Sequence, residues 1–397
     1  MNKYLEIEVP QIIKESGKAR LESKIFNSDS KQEYNSFIEV DEKYSKYFSF
    51  ETSDYLLVTL LLYGMQHDYD LHFVGDLSEE LYFKITNYLI PAISQNIKKY
   101  HPITITCAKL VTINYAGKHI STGLSCGVDS FYTIYKGLSH SEESGLKLNS
   151  LSFFNAGATG MYGGDKARDV YLERLKRFKN VAQKLECDFI CVDTNFSEYL
   201  HQNHEATHVF RTLCIPFALQ KYYKKYYFSS SYPYNKFKFD AFDPSLYDLL
   251  NVFCLSTSNI TFESVGGETT RLGKLKYISD FELTKHELNV CIDGVENCNH
   301  CTKCKRTMLD LFLLGKLDEY KDVFDVDYFY KNKKKFFRWA LRNVEGVDMD
   351  EIVIKLIKNH DVSITTRFVC SIERFFIYLF KLTKKIAKKI LRYESKN

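Results

Sequence analysis

The sequence predicts an α/β protein built on a parallel sheet with helices on both faces, joined to a cysteine-rich knuckle and to an additional N-terminal α/β domain. Between residues 119 and 263, short β-rich runs alternate with helical segments, which is the pattern of βαβ units in a parallel sheet. Four closely spaced cysteines follow this region. The composition, 45% hydrophobic and 26% charged, is typical of a packed globular protein rather than a disordered one.

The length of 397 residues exceeds what a single hydrophobic core usually supports, so more than one domain is expected. We place an N-terminal α/β domain at 1–115, because the alternation of strand and helix becomes regular only after that point. The principal domain is predicted at 116–330, with its metal knuckle at 291–304. Residues 331–397 are predicted to form a helical, basic C-terminal tail.

The N-terminal segment has the pattern of mixed α/β structure. Apolar residues alternate from Leu5 to Val9, which predicts a half-buried strand. Asp76 followed by Glu79 is the pattern of a capping box and predicts a helix that runs to about Pro91. The other elements predicted here are a helix at 54–65 and extended segments at 72–74, 103–107 and 110–115.

The principal domain alternates strands and helices along the chain. Strands are predicted at 119–124, 150–154, 189–192, 226–229 and 259–263. Helices are predicted from residue 129 and at 166–184, 205–224 and 307–314. Parallel strands joined in this way require right-handed crossovers. Their carboxyl ends meet at one edge of the sheet, which is where α/β proteins bind their ligands.

The apolar runs and the cysteine usage indicate a cytoplasmic protein. The longest apolar stretch, around Tyr55 to Met65, is too short to cross a bilayer, and the N-terminus carries charges where a signal peptide needs an apolar run. The eleven cysteines of such a chain normally stay reduced, so metal binding is favoured over disulfides.

The formal net charge of +4 is concentrated at the C-terminus, where residues 381–397 hold seven Lys or Arg and one Glu. The remainder of the chain is nearly balanced, so general nucleic-acid binding is not expected. The tail from Phe368 has the pattern of a basic amphipathic helix. Its apolar members are Phe375, Leu379, Leu382, Ile386 and Ile390, and its basic members are Lys384, Lys385, Lys388 and Lys389. It could make peripheral contact with an anionic membrane or dock on a partner protein, while packing onto the protein's own body is the default expectation.

A phosphate-binding loop is predicted between the strand that ends at Leu124 and the helix that follows. N–H groups and the positive dipole end of a helix favour phosphate there, and serine hydroxyls can donate to its oxygens. The carboxylate of Asp129 would repel phosphate unless Mg²⁺ lay between them, so a divalent ion is implied. Simple capping of a helix is the alternative explanation. The loop consists of Ser125, Cys126, Gly127, Val128, Asp129 and Ser130.

No Walker A sequence competes with this loop, because the run Gly267–Lys274 has the wrong spacing for one. The position of the loop at the carboxyl end of a parallel strand favours ligand binding over simple capping.

Four cysteines predict a structural zinc site. Cys291, Cys298, Cys301 and Cys304 lie close together in the sequence, and their neighbours are polar, which is unlike a hydrophobic core. Zinc favours four thiolates in a tetrahedron, and this closed shell leaves no position for a catalytic water. An iron–sulfur centre is the competing interpretation.

The loop from Ser125 to Ser130 resembles the Ser-Gly-Gly-x-Asp-Ser motif of the N-type, or PP-loop, ATP pyrophosphatases. It departs from that motif only at Cys126, which places a side chain where the backbone approaches the phosphates. The pairing of this loop with a four-cysteine knuckle resembles the 7-cyano-7-deazaguanine synthases in particular. That resemblance covers residues 119–315 and includes the run Gly266–Lys274 before the knuckle.

The resemblance implies an adenine nucleotide alpha hydrolase-like fold and an AMP-forming ligase that makes a carbon–nitrogen bond. ATP, with Mg²⁺, would adenylate a carboxylate or amide that then reacts with ammonia or an amine. The implied acceptor is a small molecule similar to 7-carboxy-7-deazaguanine. The N-terminal domain and the tail suggest a larger relative of an antiviral defence or polysaccharide operon, which would bind a protein partner through either segment or form a homodimer.

The resemblance also implies further site residues. Asn155 lies where the family contacts the adenine edge, and Ser229 follows a sheet strand and is expected to face the same crevice. Arg271 and Lys274 are expected to neutralise the departing pyrophosphate, and with Asp129 they are the predicted catalytic residues. An ordinary strand-end turn and a solvated helix face are the alternative explanations for these positions.

Other polar residues are weaker site candidates. His204 and His208, four residues apart and close to Arg211, could transfer protons or bind substrate, although histidines at this spacing are more often structural. Asp193 and Asn195 follow a predicted strand in the same way as Asn155.

Two other functions are compatible with the same fold. Thiolation of a tRNA or a small molecule would require a sulfur-carrying cysteine outside the zinc site, and Cys126 and Cys187 are the candidates. A catalytically degenerate nucleotide-binding subunit of a larger complex is the second alternative.

Overall fold

The computed structural model describes residues 3–291, 294–343, 349–360 and 362–394. The chain divides into two compact units, Met1–Thr270 and Arg271–Asn397. The first unit contains the sheet, and the second contains helices and the cysteine cluster. The first 115 residues therefore belong to the same compact unit as the strands that follow them. The division into three functional domains stays a prediction.

The first unit is α/β throughout. Its strands are β1 (Tyr4–Ile7), β2 (Gln11–Glu15), β3 (Lys18–Asn27), β4 (Glu33–Asp41), β5 (Asp70–Phe73), β6 (Leu77–Ser78), β7 (Ile105–Thr106), β8 (Leu110–Val111), β9 (His119–Gly123), β10 (Ser150–Asn155), β11 (Asp188–Thr194), β12 (Tyr223–Ser229) and β13 (Thr261–Val265). Its helices are α1 (Asp54–His67), α2 (Glu79–Lys84), α3 (Ile90–Asn96), α4 (Val128–Leu138), α5 (Asp165–Lys184), α6 (Phe196–Leu200), α7 (His208–Ala218) and α8 (Asp248–Leu255).

The second unit is helical in the part of it that the structure describes. Its helices are α9 (Arg271–Ile278), α10 (Glu282–Glu287), α11 (Thr302–Leu313), α12 (Val326–Arg342), α13 (Met349–Asn359) and α14 (Ile364–Glu394). Most of α12, together with α13 and α14, lies in the segment 331–397 for which a helical tail is predicted. Over the residues described, no helix combines the length and the hydropathy that a bilayer span requires.

The large sheet has the strand order β13-β12-β9-β10-β11-β4-β3-β1-β5-β7, and β2 pairs with β3. The strands from β13 to β11 are mutually parallel, which confirms the predicted parallel sheet. β4 joins them by an antiparallel pairing in which Thr194 lies opposite Ile38. The N-terminal strands therefore extend the same sheet, which is mixed and flanked by helices. A separate pair, β6 and β8, forms a second small sheet.

The burial pattern explains why these segments are strands. Along β3 the buried residues alternate with more exposed ones, as expected of a strand with one face on the core. β10 is buried almost without interruption, which is typical of a central parallel strand covered on both faces. α1 is nearly enclosed and supplies a large share of the hydrophobic core.

Two sequence predictions in the first unit are wrong in detail. The helix predicted at 205–224 ends at Ala218, because the aromatic run that starts at Tyr223 forms the buried strand β12. The capping box at Asp76 is absent, since α2 starts after Ser78, whose N–H instead donates to the carboxylate of Asp54 at 2.9 Å.

The helix predicted to end near Pro91 continues beyond it. A π-helical turn, Ile85–Leu89, joins α2 to α3, and Pro91 lies in the first turn of α3. Pro91 therefore lies within a continuous helical run, and the π-helical turn before it interrupts the regular hydrogen-bond ladder that proline would otherwise break.

Candidate functional site

The predicted phosphate loop lies between β9 and α4, at the carboxyl end of a strand inside the parallel part of the sheet. The hydroxyl of Ser130 donates to the carbonyl of Gly123 at 2.6 Å and accepts from the N–H of Ser125 at 3.1 Å. Gly127 donates its N–H to the Ser125 hydroxyl at 3.3 Å. These three bonds tie the loop to the end of β9 and fix its conformation.

The N-terminus of α4 is shaped like an anion-binding terminus. Its N-cap residue is Gly127, which has no side chain with which to cap the helix. The N–H of Phe131 donates to the carbonyl of Gly127 at 2.9 Å, which is the first hydrogen bond of the helical ladder. The N–H groups of residues 128–130 precede that ladder, as in the first turn of any helix. Such groups, with the positive end of the helix dipole, bind phosphate. Asp129 is half-buried in this same turn.

Cys126, which stands where the resembled motif has glycine, adopts a left-handed backbone with a φ of 56°. The residue is fully buried, so its thiol lies inside the protein and away from the exposed surface of Ser125. A non-glycine residue in this conformation carries a cost of roughly 1–2 kcal/mol. The fold therefore keeps the backbone shape that suits glycine and directs the additional side chain into the interior.

We expect Cys126→Gly to be more stable than Cys126→Ala by about 1 kcal/mol, because both remove the thiol and only glycine adopts the left-handed backbone freely. Urea unfolding of the two variants side by side separates this backbone contribution from the loss of the buried sulfur. Equal free energies of unfolding would contradict the conformation assigned to Cys126.

Asn155 ends β10 and lies in register with Asp193 of β11. Its side-chain amide donates to the Asp193 carboxylate at 2.6 Å, and its backbone carbonyl accepts from the Thr194 hydroxyl at 2.7 Å. Asp193 also pairs with Arg168 at 2.9 Å. Protein groups thus bind both the side-chain amide and the backbone carbonyl of Asn155. Its contact with adenine stays a prediction.

Ser229 is the last residue of β12 and is half-buried beside Val265, the last residue of β13. In the sheet, β12, β9 and β10 are consecutive neighbours. The structure therefore brings Ser229, the loop after Gly123 and Asn155 to the same edge, at the carboxyl ends of three adjacent strands. This is the edge at which α/β sheets bind nucleotides.

Arg211 on α7 is a buried cation near this edge. The residue is 1% exposed, and its guanidinium donates to the Ser197 hydroxyl at 2.8 Å and to the Gln202 carbonyl at 3.1 Å. Its Nε has no hydrogen-bond partner among the described residues. Burial lowers the pKa of this guanidinium, and the described residues supply no carboxylate that would offset the loss of water.

A glycine faces this guanidinium from the loop that follows β10. A Cβ added at Gly157 would lie 2.9 Å from Nη1 of Arg211, 2.7 Å from Nδ1 of His204 and 3.2 Å from Oγ of Ser197. Gly157 has a φ of 109°, which also requires glycine. Three polar groups thus converge next to the strand that carries the phosphate loop. Even one added carbon would crowd these groups, so the guanidinium is enclosed by the protein and Gly157 is needed for its close approach.

His208 has contacts that indicate a structural role. Its Nδ1 lies 2.9 Å from the carbonyl of Glu205, and its Nε2 lies 2.7 Å from the hydroxyl of Ser245. A carbonyl can only accept, so Nδ1 carries the proton and the neutral Nε2 accepts from Ser245. Burial lowers the pKa of His208, and the negative charge of Asp243 only partly opposes that shift.

The lowered pKa of His208 predicts a loss of stability in acid. The unfolded chain binds a proton near the ordinary imidazole pKa of about 6.5, whereas the folded chain resists it, so stability falls as the pH drops below that value. We expect His208→Gln to flatten the change in free energy of unfolding between about pH 5 and 7. An unchanged slope in His208→Gln would contradict the assignment.

The two candidate sulfur carriers are poorly placed for thiolation. Cys126 is buried, and Cys187 precedes β11 at its amino end, the edge of the sheet opposite the phosphate loop. Burial raises the pKa of the Cys187 thiol to about 11. Such a thiol stays protonated at neutral pH and is a weak nucleophile. Both observations count against the thiolation alternative.

The four predicted zinc ligands form a cluster in the second unit. The Sγ atoms of Cys291, Cys298, Cys301 and Cys304 all lie within 4.8 Å of one another, and those of Cys298 and Cys304 are 4.0 Å apart. A zinc ion with Zn–S bonds of about 2.3 Å needs sulfur atoms about 3.8 Å apart. The four thiols could therefore bind a metal ion such as zinc with only small movements. They would fill its tetrahedral shell.

Backbone hydrogen bonds orient these sulfurs. Cys301 is the N-cap of α11 and accepts from the N–H of Cys304 at 3.4 Å, while Cys298 accepts from the N–H of Cys301 at 3.3 Å. Between them Asn299 adopts a left-handed backbone with a φ of 65°, which asparagine tolerates better than most residues. N–H groups aimed at sulfur stabilise thiolate charge and hold metal ligands in place.

Arg271 and Lys274 share helix α9, as their spacing predicts. Both are buried, at 8% and 1% exposure, and the Arg271 guanidinium lies 3.5 Å from the hydroxyl of Thr307. These residues belong to the second unit. Their role in neutralising pyrophosphate stays a prediction.

Sequence reasoning missed two features of the carboxyl edge. Arg168 binds both Asp193 and Glu198, the latter at 2.6 Å, but in the sequence it is one of many charges on a long amphipathic helix. Gly157 was also missed. A signal for the second was available, since the segment after β10 is rich in glycine, at Gly157, Gly160, Gly163 and Gly164.

Neither a protein-family model, nor a curated protein, nor a solved structure matches this chain. Any functional assignment therefore depends on the geometry of the site and on the resemblance of its motifs.

Proposed function

We propose that this chain is an ATP-dependent ligase that forms AMP and pyrophosphate while it activates a carboxylate or amide for attack by ammonia or an amine. The observation that carries the proposal is the loop from Ser125 to Ser130. It connects the carboxyl end of a central parallel strand to a helix whose N-cap is a glycine. Its sequence resembles the loop with which the N-type ATP pyrophosphatases hold ATP.

The four-cysteine cluster supports the narrower likeness to the 7-cyano-7-deazaguanine synthases, because that family pairs the same two motifs. The cluster could hold zinc in a closed, structural shell. On this proposal the zinc stabilises the second unit and takes no part in the reaction. The adenine nucleotide alpha hydrolase-like fold is the corresponding proposal for the sheet.

The proposed reaction has two steps at the carboxyl edge of the sheet. An acceptor oxygen attacks the α-phosphorus of ATP, the bond from that phosphorus to the bridging oxygen breaks, and pyrophosphate leaves. Ammonia or an amine then attacks the adenylated carbon, AMP leaves with the bonding electrons, and the nitrogen loses a proton. The protein contributes mainly position and electrostatic stabilisation, through the N–H groups of the first turn of α4.

Asp129 is the residue proposed to hold Mg²⁺ beside the triphosphate. Magnesium prefers oxygen ligands and usually binds through one or two carboxylates together with substrate phosphates. The position of Asp129 in the first turn of α4 fits this role, because a bare carboxylate there would compete with phosphate for the same N–H groups. The ion supplies charge neutralisation as pyrophosphate departs.

The resemblance to the 7-cyano-7-deazaguanine synthases supports a carboxylate as the acceptor group, because that family activates the carboxyl group of a deazaguanine. We therefore propose a small carboxylated acceptor, with 7-carboxy-7-deazaguanine as the first compound to test.

The products of ATP cleavage test this proposal. Purified protein with Mg²⁺ and ATP labelled in the α-phosphate is incubated with 7-carboxy-7-deazaguanine and ammonia, and the nucleotides are separated. We expect labelled AMP and an equal amount of pyrophosphate, formed only with the acceptor present. Formation of ADP and phosphate would overturn the proposal. Binding of ATP without cleavage, for a panel of carboxylated acceptors, would favour the nucleotide-binding subunit.

A further inference from the structure

Helix α14 is attached to the rest of the second unit along one narrow side. Glu373 forms salt bridges with Arg338 and, at 3.4 Å, with Arg342, both on α12. Cys370, one turn earlier, is 2% exposed and packs in a small core with Leu341. These contacts fix which side of α14 faces the protein.

The opposite side of α14 is apolar and exposed. Phe368, Ile372, Phe375 and Leu379 are 66%, 41%, 59% and 37% exposed. Their spacing of four, three and four residues places them on one face of the helix. A helix turns by about 100° per residue, so Cys370 lies about 200° away from Phe368. The helix therefore packs on its own protein with its less apolar side and presents its apolar face outward.

Two further phenylalanines widen this face. Phe376 and Phe380 are 62% and 61% exposed, and they lie beside the stripe defined by Phe368 and Leu379. Single exposed apolar side chains are ordinary on protein surfaces, but a continuous apolar stripe several turns long marks an interaction site. The sequence predicts by default that this face packs onto the protein's own body, but its described apolar side chains from Phe368 to Phe380 are exposed. The side chains of Leu382, Ile386 and Ile390, which complete the predicted face, lie outside the described residues.

The charge of the chain that follows favours one kind of partner. Residues 381–397 hold seven Lys or Arg and one Glu, directly after the exposed phenylalanines. Lys334 and Lys335 on α12, the helix against which α14 packs, are exposed as well. An aromatic apolar face combined with many basic residues is typical of helices that lie in the interface of anionic membranes. A second copy in parallel register would instead bring two strongly basic segments together.

We propose that α14 binds the surface of an anionic lipid membrane, with its phenylalanine face in the boundary between headgroups and acyl chains. The basic segment after residue 380 supplies attraction to the anionic headgroups. This inference does not depend on the proposed ligase function, because it concerns a different unit and a different surface. It accounts for both the exposed apolar face and the local excess of positive charge.

Vesicle sedimentation of the full-length protein tests the proposal. Vesicles of phosphatidylcholine mixed with phosphatidylglycerol are compared with vesicles of phosphatidylcholine alone. We expect binding to the anionic vesicles to be about tenfold tighter or more, and to weaken as salt is added. The quadruple variant with Lys384, Lys385, Lys388 and Lys389 changed to Gln is expected to lose this preference.

The apolar contribution has its own variant and control. The variant Phe375→Ser, Phe376→Ser, Phe380→Ser changes only exposed side chains and is expected to remove vesicle binding while circular dichroism stays unchanged. The control Phe83→Ser, Phe253→Ser removes exposed aromatic side chains of the first unit and is expected to bind vesicles as the wild type does.

Two results would overturn the proposal. The first is equal sedimentation of the wild type and the triple phenylalanine variant. The second is a wild type that does not bind anionic vesicles and is a dimer by light scattering, while the triple phenylalanine variant is a monomer. That outcome would assign the apolar face to contact between copies of this chain.

Discussion

Replacing Cys304 with serine is expected to release the metal and to unfold the second unit. Cys304 is fully buried, and its Sγ lies 4.0 Å from that of Cys298 in the four-cysteine cluster. Structural zinc contributes roughly 10 kcal/mol to the folding of small domains, which is comparable to the whole free energy of unfolding of a typical domain, about 5–15 kcal/mol. Removal of one thiolate leaves an incomplete shell, so most of that contribution is lost.

The measurement combines metal content with proteolysis of the full chain. We expect one equivalent of zinc in the wild type and much less in Cys304→Ser, together with rapid cleavage between residues 271 and 397. Cys254→Ser is the matched control, because Cys254 is also fully buried but lies outside the cluster. Retention of a full equivalent of zinc by Cys304→Ser would contradict the ligand assignment. Iron and an iron–sulfur absorption band in the wild type would identify the competing metal centre.

Replacing Asp129 with asparagine is expected to lower acceptor-dependent pyrophosphate release about 100-fold or more, the loss typical of removing one transition-state electrostatic contact. The change keeps the size of the side chain and removes the charge proposed to hold Mg²⁺. Asp129 lies in the first turn of α4, and the loop bonds of Ser130 do not involve its carboxylate. Circular dichroism and thermal unfolding of the variant check that it folds.

Asp165→Asn is the matched control for this prediction. Asp165 is an exposed acidic residue in the first turn of α5, so its removal tests the general effect of losing a carboxylate at a helix N-terminus. We expect the control to retain activity within about twofold, since exposed helix-terminal charges contribute less than 1 kcal/mol. Equal activity of the Asp129 and Asp165 variants would rule out the proposed magnesium ligand.

Local sequence patterns predicted the elements that surround the site. The alternation of strand and helix from His119 to Val265 depends on neighbours in the chain, and the structure confirms it with shifts of a few residues. The cysteine cluster was predictable for the same reason, because its ligands are close in sequence. The loop at Ser125 depends only on a strand, a short turn and a helix start.

The remaining features depend on contacts between distant parts of the chain. The pairing of β4 with β11 joins residues about 38 and 194, and no local pattern specifies which strands become neighbours. The burial of Arg211 beside Gly157 likewise follows from the packing of α7 against a distant loop. The sequence predicts an apolar face on α14 but not what covers it, because a helical pattern carries no information about the surface that packs against it.

Exchange of labelled pyrophosphate into ATP tests the central claim most directly, because it reports reversible adenylation of the acceptor before nitrogen attacks. The wild type is incubated with ATP, Mg²⁺, labelled pyrophosphate and 7-carboxy-7-deazaguanine, without ammonia. The account predicts label in ATP that requires the acceptor and disappears in Asp129→Asn. If ATP binds but gains no label with any carboxylated acceptor, the proposed ligase activity is contradicted. The protein would then be a nucleotide-binding protein.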